Sequence, residues 1–96
     1  MRELRIRPLA RADLEQVWSY TLERWGVEQA DRYLRGIGVV LRLLAEHPAL
    51  GRDESKLREH YRSYLVGRHV IYYVFDDATL SVVRVLHCSL DRDAQL

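Results

Sequence analysis

The sequence contains few of the residues that cross-link or interrupt small proteins. Its 96 residues include one cysteine, two prolines and five glycines. A single cysteine excludes an intrachain disulfide and a metal site built on several thiolates, and we expect Cys88 to be a small buried residue in a reducing compartment. No linker, repeat or low-complexity tract divides the chain, so residues 1–96 are expected to form one domain around one modest core.

The sequence also lacks an excess of charge and a long apolar run. Lys and Arg total 15 against 14 Asp and Glu. This balance gives no general attraction to nucleic acid or to an anionic membrane, and direct nucleic-acid binding is not expected. The first residues do not form the apolar core of a signal peptide, and Arg42 and two glycines interrupt the longest helical apolar stretch. These features favour a cytoplasmic protein outside the membrane.

What the chain does contain is the composition of a folded protein, with 48% apolar and 30% charged residues. Leu4 and Ile6 alternate with charged neighbours, which predicts a short half-buried strand closed by Pro8. From residue 11 to 25 the apolar period becomes 3.6, which predicts an amphipathic helix ended by Gly26. A second helix is predicted from about residue 27 to 46, before Pro48.

Two helices joined by one or two residues form an antiparallel helical hairpin. Trp18 and Trp25 fall on the apolar stripe of the first helix and are expected in the core. Gly36 and Gly38 lie inside the second helix, where each costs about 1 kcal/mol relative to alanine. Close packing against a neighbouring element is the explanation that we expect for them.

The second half of the chain has the signals of an antiparallel sheet. Residues 49–60 are polar and are expected to form a loop. Three strands follow at residues 61–66, 69–75 and 80–87, separated by the Gly67-Arg68 turn and by a turn at residues 76–79. A helical hairpin followed by such a sheet predicts an α+β fold of two layers, with the strand order left open.

The strands predict a partner because both faces of the sheet are apolar. In the 69–75 strand, Val70, Tyr72 and Val74 alternate with Ile71, Tyr73 and Phe75. In the last strand, Leu80, Val82, Arg84 and Leu86 are expected on one face, and Val83, Val85 and His87 on the other. One helical hairpin covers only one face. Another protein is therefore favoured as the cover of the second face, with self-dimerisation or coverage by the tail, residues 88–96, as alternatives.

An ordered set of segments resembles the ParE toxins of the RelE/ParE superfamily. The segments are residues 11–14 and 25–33 in the helical hairpin, 45–51 after it, 57–58 and 66–73 in the first β-hairpin, and 84–87 with Asp91 near the end. The resemblance implies a RelE/ParE-like fold with an N-terminal strand and the helical hairpin on one face of a small sheet. Val74 departs from it, since many ParE chains carry arginine there, and the tail is more acidic than expected.

The resemblance also implies a function in stress response as the toxin of a type II toxin–antitoxin system. Such a toxin is neutralised by a ParD-like antitoxin in a hetero-oligomer, which lays a helix and an extended segment over it. Its target is DNA gyrase. It acts by protein binding, without catalytic residues, cofactor or metal.

Two alternatives remain open. The RelE branch of the superfamily contains ribosome-dependent mRNA endonucleases, and the chain has histidines, tyrosines and arginines suited to phosphodiester cleavage. Their arrangement near the C-terminus lacks the clustered set of those relatives. The third possibility is a non-toxic remnant that only binds antitoxin.

The candidate contacts with antitoxin or target are polar and aromatic residues of the sheet and of the basic segment before it. They are Arg58, Arg62, Tyr64, Arg68, Tyr73, Arg84 and His87. An unpaired charge among apolar residues is costly, so Arg84 is expected to pair with a carboxylate of this chain or of the antitoxin. His87 is interpreted first as a strand-end histidine bonded to the backbone or to Asp91.

Overall fold

The computed structural model describes residues 2–96 and contains five strands and three helices in that range. In chain order they are β1 (Glu3–Ile6), α1 (Pro8–Trp25), α2 (Val27–Glu46), β2 (Arg52–Asp53), β3 (Arg62–Val66), β4 (His69–Phe75), β5 (Thr79–His87) and α3 (Arg92–Gln95). A 3-10 turn at Pro48–Leu50 and the short β2 lie within the predicted loop. The predicted α+β fold, a helical hairpin on one face of a sheet, is confirmed.

The five strands form one mixed sheet in the order β1-β5-β4-β3-β2. β2, β3, β4 and β5 pair antiparallel, whereas β1 pairs parallel with the first half of β5, from Thr79 to Val82. The helical hairpin is the crossover that carries the chain from β1 to the rest of the sheet. Beyond Val82, β5 therefore has an edge that β1 does not reach.

The helical hairpin follows from proline and glycine at its ends. α1 begins at Pro8, three residues before the predicted start, because proline fits the first position of a helix, where its missing N–H is not needed. It ends at Trp25, and Gly26 adopts a φ of 90° that favours glycine. α2 begins immediately afterwards and has the predicted bounds.

The core lies between the hairpin and one face of the sheet. Its fully or almost fully buried side chains are Ala10 and Val17 of α1, Ile37, Leu41, Leu44 and Ala45 of α2, Ile71 and Tyr73 of β4, and Leu80, Val82 and Val85 of β5. Burying each large aliphatic side chain contributes about 1.5–3 kcal/mol, so this cluster supplies most of the stabilisation.

A bulge in β5 corrects the predicted faces of that strand. Tyr72 of β4 pairs with Arg84 and Tyr73 pairs with Val82, so Val83 is an extra residue. The alternation shifts there, and Val85 joins Val82 on the side of the helices. The prediction that Val82 and Arg84 share a face is therefore wrong.

Three further residue predictions are wrong. Trp25, the last residue of α1, is 69% exposed rather than buried. Cys88 follows β5 and is exposed. A Cβ atom at Gly36 would meet no atom within 4 Å, and one at Gly38 would meet only the Arg42 side chain at 3.8 Å. Close packing does not explain these two glycines.

No helix within residues 2–96 has the length and apolar character needed to cross a membrane.

Candidate binding surfaces

Arg84 is paired within the chain. Its Nε and Nη2 atoms donate to the two carboxylate oxygens of Asp13, at 2.7 and 2.9 Å. Asp13 also accepts from the backbone N–H of Val85 at 3.0 Å, on the part of β5 that β1 leaves unpaired. The hydrogen bonds from Arg84 to the Asp13 carboxylate raise the pKa of Arg84. Of the two predicted partners, the carboxylate of this chain is the one observed.

The outer sheet face, defined as the surface opposite α1 and α2, includes Ser63 and Leu65 of β3, Val70 and Tyr72 of β4, and Leu86 of β5. The tail lies over part of this face. Arg92 of α3 donates to the buried Glu54 at 2.8 Å, and Ser63 donates to the same carboxylate. Tyr72 is only 3% exposed and Leu86 only 4%. The tail thus covers more of the face than its length suggested.

The part of this face near the edge of the sheet stays open. Leu65 is 61% exposed, although it is an aliphatic residue in mid-strand. A shallow groove of about 370 Å³ runs beside it and is lined by Val70, Tyr72, Arg52 and Arg92, among others. β2 pairs only with Arg62 and Ser63, so the backbone edge of β3 is free from Tyr64 onward within the described residues. Apolar side chains beside an open strand edge suit an extended partner segment.

The other candidate residues take several different positions. Arg58 donates to the Leu96 carbonyl at 2.6 Å, and Arg62 donates to the Gly51 carbonyl at 2.7 Å. Tyr64 packs against the core from β3. Tyr73 has no exposed surface, and its hydroxyl donates to the Pro48 carbonyl and accepts from the Gly51 N–H. A partner could reach the Tyr73 side chain only if the core opened.

His87 belongs to a group of side chains beside the β3–β4 turn, which we call the imidazole cluster: Tyr33, His69, His87 and Ser89. Arg68 lies next to this cluster. The Tyr33 hydroxyl lies 2.7 Å from Nδ1 of His69, and the two imidazole rings meet edge to face at 5.3 Å. Nδ1 of His87 accepts from the backbone N–H of Ser89 at 3.1 Å, which agrees with the predicted bond to the backbone.

The environment of His69 in the cluster disfavours its charged form. Burial lowers the pKa of His69, and the neighbouring His87 lowers it further because two adjacent imidazolium ions repel. The Tyr33 hydroxyl also accepts from the backbone N–H of Arg68 at 3.1 Å, so the cluster fixes the β3–β4 turn to α2. Among residues 2–96, no group of three or more His, Cys, Asp or Glu side chains is placed to hold a metal ion.

Sequence reasoning missed the exposed aromatic residues near this cluster. Tyr20 is 57% and Trp25 69% exposed, both at the end of α1 next to the imidazole cluster. The available signal was position, because the last turn of a helix before a glycine joint often extends past the element that it packs on. The apolar periodicity concealed it, since Trp25 falls on the same stripe as the buried Val17.

Comparison with known proteins agrees with this architecture. Residues 4–92 match the family model described as ParE toxin of type II toxin-antitoxin system, parDE. In the solved structure of a chromosomal ParDE toxin–antitoxin system from P. aeruginosa, one chain superposes with a TM-score of 0.78 at 16% identity. The match covers 91% of this chain and 96% of that one, and it shows a shared fold.

Closer relatives are similar over their whole length. Toxin ParE1 of Caulobacter vibrioides is 38% identical over 96 residues, covering 100% of this chain and 99% of the relative. Toxin ParE1 of Mycobacterium tuberculosis is 40% identical over 92 residues, covering 95% of this chain and 94% of the relative. With the family model and these full-length relatives in agreement, the chain belongs to the ParE toxin family of type II toxin–antitoxin systems.

Proposed function

We propose that this toxin acts by binding other proteins, without catalysis, and that a ParD-like antitoxin neutralises it by covering the outer sheet face. The observation that carries the proposal is the apolar strip of that face, formed by the exposed Leu65 and the half-buried Val70, beside the free edge of β3. Leu65 is 61% exposed within β3 and adjoins Val70, so the two side chains form a contiguous apolar surface of the kind that marks an interaction site.

Two features of the strip suit an antitoxin segment. The β3 backbone offers hydrogen bonds to an added strand, and the groove of about 370 Å³ accommodates side chains of that strand. Arg52 and Arg92 line the groove, and Glu54, its one carboxylate among the described lining residues, is bonded to Arg92. The free positive charge favours an acidic segment.

The antitoxin experiment compares two exposed apolar positions. Leu65→Glu places a charge on the strip, whereas Val39→Glu makes the same kind of change on α2, where Val39 is 58% exposed. Each variant is co-expressed with a ParD-like antitoxin that binds the wild-type chain, and binding is measured by co-purification and calorimetry. We expect Leu65→Glu to weaken binding by at least about tenfold and Val39→Glu to leave it unchanged. Equal affinities of the two variants would contradict this location.

DNA gyrase in the cytoplasm is the target that we propose. Support comes from membership of the ParE family and from the structural partners of Arg84 and Tyr73, which bind Asp13 and the Pro48 carbonyl within the chain. The experiment is to induce the chain without antitoxin and to follow DNA synthesis and translation separately by uptake of labelled precursors. DNA synthesis is expected to fall first, with translation intact, and purified gyrase is expected to lose supercoiling activity when the chain is added.

A second candidate is cleavage of mRNA, and the imidazole cluster is the observation that favours it. His69 and His87 lie edge to face beside Arg68, and an imidazole pair can supply the base and the acid that 2′-OH attack requires. On this reading translation stops before DNA synthesis, and His87→Ala abolishes cleavage without unfolding the chain. Intact mRNA in cells that express the wild type would end this reading. Normal growth with folded chain present would instead indicate a non-toxic remnant.

A further inference from the structure

A second surface lies on the helical side of the molecule, at the joint of the two helices. We call it the hairpin groove. It has a volume of about 460 Å³ and is lined by Tyr20, Arg24, Trp25, Tyr33, Arg68, His69 and His87, together with Thr21, Gln29 and Gly67. It is separate from the outer sheet face, because its two histidines lie on the side of the sheet that faces the helices.

The hairpin groove has an unusual balance of charge for this chain. Acidic residues make up 14 of the 96, yet the groove contains no carboxylate among its described lining residues, against two arginines and two histidines. An adjoining cavity of about 490 Å³ shares Tyr20, His69 and His87 with it. The one carboxylate that lines this cavity, among the described residues, is Asp13, which Arg84 already neutralises. The whole region therefore attracts negative charge.

The walls of the groove are apolar and stay exposed. Trp25 is 69%, Tyr20 57% and Val27, beside the joint, 59% exposed. The Arg24 guanidinium lies 5.2 Å from the centre of the Tyr20 ring, so a cation and an aromatic surface are presented together. Within residues 2–96, neither Arg24 nor Arg68 has an ion-pair partner. Both are free to bind an external anion.

We propose that the hairpin groove is a docking site for an acidic protein segment that carries an aromatic or large aliphatic side chain. The apolar side chain would pack against Trp25 and Tyr20, and flanking carboxylates would accept hydrogen bonds from Arg24 and Arg68. Aromatic and arginine residues of this kind are the ones that carry most of the binding energy at protein interfaces.

A protein segment fits better than nucleic acid because the positive charge is local. Nucleic-acid binding draws on many phosphate contacts along a basic stripe, and this chain has a net charge of only +1. Two arginines and two exposed aromatic side chains that line one groove match a segment in which carboxylates accompany an apolar residue. Single-stranded nucleic acid, which also stacks on aromatic rings, is the alternative that the experiment must separate.

The experiment selects ligands for this groove from a random peptide display library. The full chain is the bait, and peptides that also bind the Arg24→Glu, Arg68→Glu double variant are removed. We expect enrichment of peptides in which Asp or Glu flanks Phe, Trp or Leu. An enrichment of basic or uncharged peptides, or no enrichment against the wild type, would overturn the proposal.

The selected peptide is then synthesised and titrated against matched variants. Arg24→Glu and Arg68→Glu are each expected to weaken binding by about tenfold or more. The control is Arg11→Glu, the same change on the same helix but about 20 Å away, which is expected to leave affinity within about twofold. In a Trp18→Phe background Trp25 is the sole tryptophan, and its fluorescence is expected to shift to the blue when the peptide covers it.

Two further measurements test the nature of the occupant. A single-stranded oligonucleotide that binds more tightly than the selected peptide, with the same sensitivity to Arg24→Glu, would overturn the proposal in favour of nucleic acid. Self-association that Trp25→Ala abolishes and that excludes the peptide would overturn it in favour of a second copy. Binding is measured on the isolated chain, so the result does not depend on where the antitoxin lies or on the identity of the target.

Discussion

At the scale of single residues, the contact between Asp13 and Arg84 links parts of the chain that lie 71 residues apart. The sequence predicted that Arg84 needs a carboxylate, because charge placed among apolar strand residues must be compensated. It could not identify the partner, since α1 and α2 contain five carboxylates besides Asp13: Glu15, Glu23, Glu28, Asp31 and Glu46. Only the parallel pairing of β1 with β5 brings α1 beside the exposed edge of β5.

Removal of Asp13 is expected to destabilise the protein strongly. Asp13→Ala leaves the Val85 N–H without a partner and leaves the Arg84 guanidinium with its hydrogen bond to the Gln95 carbonyl alone. The Asp13 and Arg84 side chains are only 10% and 16% exposed. Breaking a pair of this kind costs about 3 kcal/mol or more of the free energy of unfolding, measured by urea denaturation. Asp31→Ala is the control, because its pair with Arg35 is exposed and contributes less than about 0.5 kcal/mol. Equal losses in the two variants would show that the Asp13 pair has no special role.

A substitution at Gly36 is expected to increase the free energy of unfolding. The site is exposed, within α2, and has open space where a Cβ would lie. Gly36→Ala is therefore expected to raise the free energy of unfolding by about 1 kcal/mol, through the higher helix propensity of alanine. Gly67→Ala is expected to do the reverse, because Gly67 has a φ of 58° and its Cβ would lie 2.7 Å from the Tyr33 hydroxyl. Destabilisation by Gly36→Ala would mean that α2 needs a flexible position there.

At the scale of elements, the sequence predicted the bounds of helices and strands correctly where a single apolar period or a single glycine determines them. The bounds of α2 and β4 and the Gly67-Arg68 turn agree with the sequence patterns. The bulge at Val83 could not be predicted, because apolar residues occupy both of the alternating registers of β5 and a shift of one leaves the pattern unchanged. The pairing of β1 with β5 depends on tertiary contacts that no local pattern records.

His69 of β4, whose imidazole contacts Tyr33 of α2, predicts how the free energy of unfolding changes with pH. The pKa of His69 is lowered from 6.5 by burial, so the unfolded chain takes up a proton at a higher pH than the folded chain. The contribution of neutral His69 to the free energy of unfolding is complete above pH 6.5. It is lost as the pH falls through the lower pKa that His69 has in the folded chain. His69→Asn is expected to flatten this part of the stability curve, measured by urea denaturation at closely spaced pH values. His60→Asn, the same substitution at an exposed histidine, is the matched control.

At the scale of the whole molecule, the sequence predicted an uncovered apolar sheet face, and the structure narrows it to a strip beside β3. The tail covers the rest through Arg92 and Glu54, a contact between residues 38 apart that composition could not indicate. The hairpin groove escaped prediction altogether, because Trp25 falls on the same helical stripe as the buried Val17 and is therefore predicted to lie in the core. Both surfaces remain exposed when the toxin is alone, and together they make the isolated chain prone to association.

The isolated toxin is therefore expected to bind an apolar dye and to self-associate, as measured by dye fluorescence and sedimentation. Leu65→Lys removes the exposed apolar side chain of the outer sheet face, and Trp25→Lys removes that of the hairpin groove. Each change is expected to lower dye binding in part, and the double variant to be largely monomeric, with little loss of stability because both positions are exposed. If only Leu65→Lys lowers dye binding and self-association, the outer sheet face alone drives association. The hairpin groove then needs no protein cover in the isolated chain. A wild-type chain that is a stable monomer with no dye-accessible surface would contradict the expectation that either surface requires a protein cover.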